Sequence, residues 1–141
     1  MEIGHLPFGD PDTACGCGAH GCWDTVLGTG SLARQLGLSD STPTTVEAAI
    51  NRATPRDVPV IEAAAASLGR GLAGLINTTD PDIVTLGGIG PLLRSHSPAA
   101  FEAALMRGLM GCLRDDCPRI VSGELGFDAA SIAPQKSPWM R

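Results

Sequence analysis

The chain is short of several things, and each shortage removes a class of function. It has no excess of basic residues: ten Lys and Arg stand against fifteen Asp and Glu, for a formal charge of −5. A nucleic-acid surface is therefore not expected on this segment. It has no low-complexity tract, and 43% apolar with 18% charged residues is a globular composition. The N-terminal MEIGH offers neither a basic region nor an apolar core, so no signal peptide is expected. The most apolar stretch, residues 60–76, is interrupted by Glu62 and Arg70, and no membrane span is expected. A cytoplasmic location follows as the expectation. The cysteine count is five, an odd number that suits a disulfide framework poorly and fits metal binding better.

What is present is concentrated at one end. Between Gly4 and Asp24 the chain reads GHLPFGDPDTACGCGAHGCWD, placing His5, Cys15, Cys17 and Cys22 within eighteen residues. Thiolates and an imidazole are the ligands tetrahedral zinc prefers. Gly16, Gly18 and Gly21 between them allow the backbone to fold around an ion. A Cys3His set closes the coordination sphere and leaves no position for an activated water, so the metal role expected is structural. His20 competes with His5 as the fourth ligand. Cys112 and Cys117 lie far from this cluster and read as ordinary thiols.

At 141 residues the chain fits one modest domain. The first thirty residues are loop-like, and helical texture begins near Gly30 with SLARQLGL. Gly28-Thr29-Gly30 leads into that texture and reads as a helix start rather than a phosphate loop. Thr44, three residues before Glu47, has the capping-box spacing and predicts a helix over 45–52. Asp57 and Pro59 announce the longest helix, 58–78, whose large apolar residues Ile61, Leu68, Leu72, Leu75 and Ile76 repeat near 3.6. Its small residues, Gly69 and Gly74 among them, permit close packing, and Asp80-Pro81 ends it. A buried strand is expected over 82–86, a helix from Ser97-Pro98 to about Leu113, and a second strand over 119–122. The tail from Pro134 to Arg141 is expected to fray. Alternating helices and strands argue for an α/β architecture.

Glu2-Ile3-Gly4-His5 followed by Cys15-Gly-Cys17-Gly-x-x-Gly-Cys22 resembles the signature of the ROK family of repressors, open reading frames and kinases. That family has Glu-x-Gly-His before Cys-x-Cys-Gly-x-x-Gly-Cys-x-Glu. Asp82-Ile-Val-Thr-Leu-Gly-Gly88 is similar to its adenosine-side strand and glycine turn. The resemblance implies the C-terminal lobe of a two-lobed actin/hexokinase-like (ribonuclease H-like) α/β fold, with a zinc-stabilised loop over 1–28, the body of the lobe over 30–133 and a tail over 134–141. It implies zinc on His5, Cys15, Cys17 and Cys22; a hexose or N-acylhexosamine-type sugar on Glu2, His5 and Asp24; and a nucleotide near Gly87 and Gly88. Asp24 departs from the family's glutamate, keeping the charge on a side chain one methylene shorter.

ATP and Mg2+ belong to the picture if the parent is a kinase, and DNA if a repressor's helix-turn-helix lies beyond this segment. A homo-oligomer is also implied. The family's phosphate-binding Asp-x-Gly-x-Thr loop and catalytic aspartate would precede Glu2, so the chain alone is expected to be catalytically incomplete. The competing expectation is a small autonomous zinc-binding interaction or oligomerisation module, its folding driven by the metal.

Overall fold

A computed structural model describes residues 3–123. Glu2 and the tail over 134–141 lie outside the described residues. Chain order gives a 3-10 turn (Ile3–His5), α1 (Asp24–Leu27), α2 (Thr29–Gln35), α3 (Pro43–Asn51), α4 (Val58–Thr79), β1 (Ile83–Leu86), α5 (Gly90–His96), α6 (Pro98–Gly108), α7 (Gly111–Arg114) and β2 (Arg119–Ser122).

The organising element is α4. Pro59 stands in its first turn, where a missing N–H costs nothing, and Asp57 accepts hydrogen bonds from the Thr54 N–H and hydroxyl (2.9 and 2.7 Å). Those two bonds hold the Asp57 carboxyl below its ordinary range, the Thr54 N–H contributing most. The helix stops where Asp80 turns left-handed (φ 44°) and Pro81 follows. One side of α4 buries Ile61, Ala65, Leu68, Leu72 and Ile76 in the common core. By length and composition it is apolar enough to cross a membrane, but 56% of that stretch is buried in this fold, as in a core helix. Glu62 and Arg70, which interrupt the apolar run, are both exposed.

Helix α6 packs against α4 at nearly backbone contact. A Cβ on Gly69 would stand 2.3 Å from the Phe101 carbonyl oxygen, and one on Gly108 would stand 2.7 Å from the Ala73 Cβ. Phe101 is fully buried, with the Arg94 guanidinium 5.5 Å from its ring centre. Arg94 also donates to the Ile120 carbonyl (2.8 Å), tying α5 to β2. The strands pair in parallel, Ile83 opposite Arg119 and Leu86 opposite Ser122.

Three expectations need correction, and one helix was not foreseen. Helix α3 is capped by Thr42, whose Oγ1 accepts from the Thr45 N–H, and not by Thr44: Pro43 sets the first helical φ, so the cap falls two residues earlier. Asp40 holds that cap by accepting from the Thr42 and Thr45 hydroxyls (2.7 and 2.6 Å). The helix expected to reach Leu113 ends at Gly108 and restarts at Gly111, because Asn77 captures the break, donating to the Gly108 carbonyl and accepting from the Met110 N–H. Strand β1 is buried only at Leu86, and Ile83 remains 52% exposed. Among the described residues the sheet has two strands, too few to cover both faces. Helix α5 was not foreseen, although Gly90-Pro91 carries the proline of a first helical turn.

The tight approach of the metal loop to α4 is testable. Trp23 lies across Gly71, where an added Cβ would meet the indole at 2.3 Å. Gly71→Ala is expected to destabilise the chain by about 1–3 kcal/mol in urea unfolding. Gly111→Ala, where a Cβ meets nothing within 4 Å, should change it by less than about 0.5 kcal/mol.

Candidate metal centre

The cysteine loop is a small hairpin folded back on the N-terminal turn. Ala14 and His20 form an antiparallel bridge, and the Cys15 N–H donates to the Ala19 carbonyl (2.8 Å). Gly18 closes the tip by donating to the Cys15 carbonyl and takes φ 93°, a conformation side chains resist. Further down, the Gly9 N–H donates to Gly21 and the Trp23 N–H to Leu6 (2.9 and 2.8 Å). Gly9 is needed here, since a Cβ would fall 2.5 Å from the Cys22 carbonyl oxygen.

This folding brings the four expected ligands together. One ligand atom from each of His5, Cys15, Cys17 and Cys22 lies within 4.8 Å of all the others. His20 is not in the group; its bridge to Ala14 holds it on the opposite limb of the hairpin from Cys15. The Cys17 and Cys22 sulfurs are 3.6 Å apart, and the Cys15 sulfur is 3.7 Å from His5 Nδ1. A disulfide would need about 2.05 Å. The edges of a tetrahedron with zinc–sulfur bonds of about 2.3 Å and a zinc–nitrogen bond of about 2.0–2.1 Å are roughly 3.6–3.8 Å. The donor set and its spacing thus fit a tetrahedral thiophilic ion. Cys112 and Cys117 are free thiols that take no part.

The thiols are electrostatically uneven. Burial pushes Cys22 up to about 12, with further rises from hydrogen bonding to Cys17 and Cys15 and from their charge. The exposed Cys17 is lowered, first by the Ala19 N–H and then by the Cys22 thiol. Buried thiolates clustered this closely repel one another unless a cation lies among them.

The loop is moored to the core by residues the sequence reading had not assigned. Trp23, next to Cys22, is buried with its indole N–H directed at the Ser67 carbonyl and hydroxyl (both 3.3 Å). Phe8 meets it edge-on (centroids 5.4 Å, 84°) and rests over Gly74. A rare tryptophan adjoining a rare cysteine was the available signal. The Thr25 hydroxyl donates to the Cys22 carbonyl (2.7 Å), and Ser31 donates to the Thr25 carbonyl, extending the mooring to α2. Gly28 is the N-cap of α2, as expected of a helix start.

Asp24 opens α1 with its carboxylate against Gly4, where a Cβ would stand 3.2 Å from Oδ1. Gly4, Asp24 and Gly87 border one cleft of about 370 Å³, whose floor is Leu68, Leu72 and Val84. Gly88, beside it, turns with φ 55°, and Gly87 has open space where a side chain would be. Asp24 and the glycine turn after β1 therefore border a single cleft.

An α/β lobe with this helix packing and glycine turn has the actin/hexokinase-like fold of ROK sugar kinases. The chain belongs to the ROK family, whose pattern matches residues 1–131. It is similar in fold to a ROK family transcriptional regulator, a homologue of the E. coli MLC protein (TM-score 0.70, 24% identity, covering 86% of this chain and 34% of that one). It is also similar to a ROK family glucokinase from Streptomyces griseus in complex with glucose and AMPPNP (TM-score 0.69, 23% identity, 91% of this chain and 47% of that one). A ROK hexokinase from Thermus thermophilus matches as well (TM-score 0.62, 27% identity, 91% and 44%). The chain spans between a third and a half of the length of these proteins.

Removing a ligand should remove the metal. Cys15→Ser, Cys17→Ser and Cys22→Ser are each expected to fall well below one equivalent of zinc by elemental analysis, with Cys112→Ser retaining it. Binding must displace thiol protons, above all the one that burial holds on Cys22. Zinc affinity should therefore fall as pH is lowered from about 8 to about 6, in competition with a chelator.

Proposed function

We propose that this chain is the sugar-recognition part of a ROK protein, with zinc on His5, Cys15, Cys17 and Cys22 setting the shape of the loop that recognises the sugar. The supporting observation is the convergence of four ligand atoms within 4.8 Å on a loop that leads directly into Asp24. On this reading the zinc is structural. It neutralises the clustered thiolates and holds the two limbs of the loop together.

The chain's own residues do the recognising. The Asp24 carboxylate accepts hydrogen bonds from sugar hydroxyls, for which its several lone pairs suit it. His5, exposed beside Gly4, offers its other ring nitrogen to the same sugar, and Glu2 adds a second carboxylate. Gly87 and Gly88 let a nucleotide pass close to the backbone if the whole protein is a kinase. Sugar recognition is the part common to kinase and regulator, so this reading does not depend on which the parent is. Residues 1–28 form the zinc and sugar loop, 30–133 the body of the lobe, and 134–141 a tail. Catalysis would require the remainder of the protein, because the related structures are two to three times as long as the share matched here.

Calorimetry with glucose and N-acetylglucosamine tests this. Binding is expected with the zinc-loaded chain, weakened about tenfold in Asp24→Asn through loss of a charge-assisted hydrogen bond, and abolished by chelation. Incubation with ATP and hexoses is expected to give no sugar phosphate. A monodisperse, chelator-sensitive chain that binds neither sugar would overturn the reading and favour an interaction module.

A further inference from the structure

Beside the metal loop lies a second cavity, of about 470 Å³, walled by Cys15, Asp24, Thr25, Thr29, Ser31 and Arg34. Its volume is in the range that holds small-molecule ligands. Two opposite charges face it without meeting. Among the described residues the Asp24 carboxylate and the Arg34 guanidinium make no hydrogen bond or ion pair, with each other or with anything else. Arg34 extends from α2 over Gly30, its Nη1 3.7 Å from where a Cβ on that glycine would sit. Glycine at this position leaves the guanidinium lying along the wall.

The hydroxyls between the charges are unequal. Ser31 is buried, donates to the Thr25 carbonyl and accepts from the Gln35 side-chain amide (3.2 Å), and Thr25 donates to the Cys22 carbonyl. Both are committed to the protein. The Thr29 hydroxyl has no partner among the described residues. The cavity thus presents an acceptor at Asp24, a free hydroxyl at Thr29 and a forked cationic donor at Arg34. A neutral sugar would satisfy the first and leave Arg34 unused.

We propose that the sugar bound at Asp24, which borders both this cavity and the cleft beside Gly4, carries an anionic group, a phosphate or a carboxylate, that enters this cavity and is held by Arg34 while Asp24 binds hydroxyls. The inference rests on the sugar-binding reading above and narrows its substrate class. A guanidinium matches the paired oxygens of either anion with two parallel N–H bonds, which an ammonium or an amide cannot reproduce. Asp24 disfavours the anion at its own end, so the two charges also orient the ligand.

The test compares glucose, glucose 6-phosphate, glucuronate and inorganic phosphate on the zinc-loaded chain by calorimetry. At least one anionic sugar is expected to bind about tenfold more tightly than glucose, with inorganic phosphate far weaker than that sugar. In Arg34→Gln the ratio between that anionic sugar and glucose should collapse towards one, and Arg34→Lys should restore only part of it. Arg34 is exposed, and zinc content with circular dichroism verifies that both variants fold. Equal binding of glucose and both anionic sugars, or a ratio that survives Arg34→Gln, would overturn this proposal and leave the sugar reading intact. Inorganic phosphate binding as tightly as the sugar phosphate would reduce the site to a general anion site and also overturn it. Binding of none of the sugars would remove both readings.

Discussion

The contact on which the functional region depends is the indole of Trp23 laid on the bare backbone of Gly71. The residue immediately before Trp23 is the buried thiol Cys22, a candidate metal ligand, and the residue after it is Asp24. Wherever the indole docks, those two side chains are carried with it. The N–H to Ser67 fixes the ring's rotation, and Phe8 closes over its edge and over Gly74. Helix α4 can receive this because its small residues leave room that any β-carbon at Gly71 would fill. The glycines of α4 cost helix stability, and what they permit is close docking of a loop with little secondary structure of its own.

Around that contact the chemistry follows from charge. Three thiols and an imidazole drawn within 4.8 Å cannot all ionise in isolation, and burial drives the Cys22 thiol to hold its proton. A thiophilic cation held there would reverse that preference and convert mutual repulsion into a cross-link between the N-terminal turn and the hairpin. The same cross-link bears on Asp24, since Gly4 lies between His5 and the Asp24 carboxylate. On the proposed reading, metal binding and sugar recognition would be coupled through a few covalently adjacent residues, which requires no long-range transmission.

Much of this was legible beforehand where the information is local. The bounds of α4 come from Asp57, Pro59 and Asp80-Pro81, and β2 from a short apolar run, because caps, prolines and periodicity act over a few residues. The cap of α3 was misplaced by two residues, since Thr42 and Thr44 are both competent and Pro43 decides between them. The break after Gly108 could not be read from its neighbours, as its carbonyl is satisfied by Asn77, thirty-one residues earlier. The exposure of Ile83 was likewise hidden, because a β-branched run is the same whether a sheet has two strands or many.

By itself the sequence determined the family, the candidate metal-ligand set and the long core helix. Each of these is written in residue type and short spacing: thiols and imidazole for a soft ion, glycines for a tight hairpin, an apolar repeat for a buried helix. Only the tertiary structure decided which histidine joins the cysteines, for His5 and His20 are chemically identical and differ in place, His5 on the N-terminal turn and His20 on the hairpin. It also decided that Asp24 and Arg34, ten residues apart on different helices, face one cavity unpaired. Ligand preference is a property of residue type, whereas a site is a property of distance, and distance is set by packing.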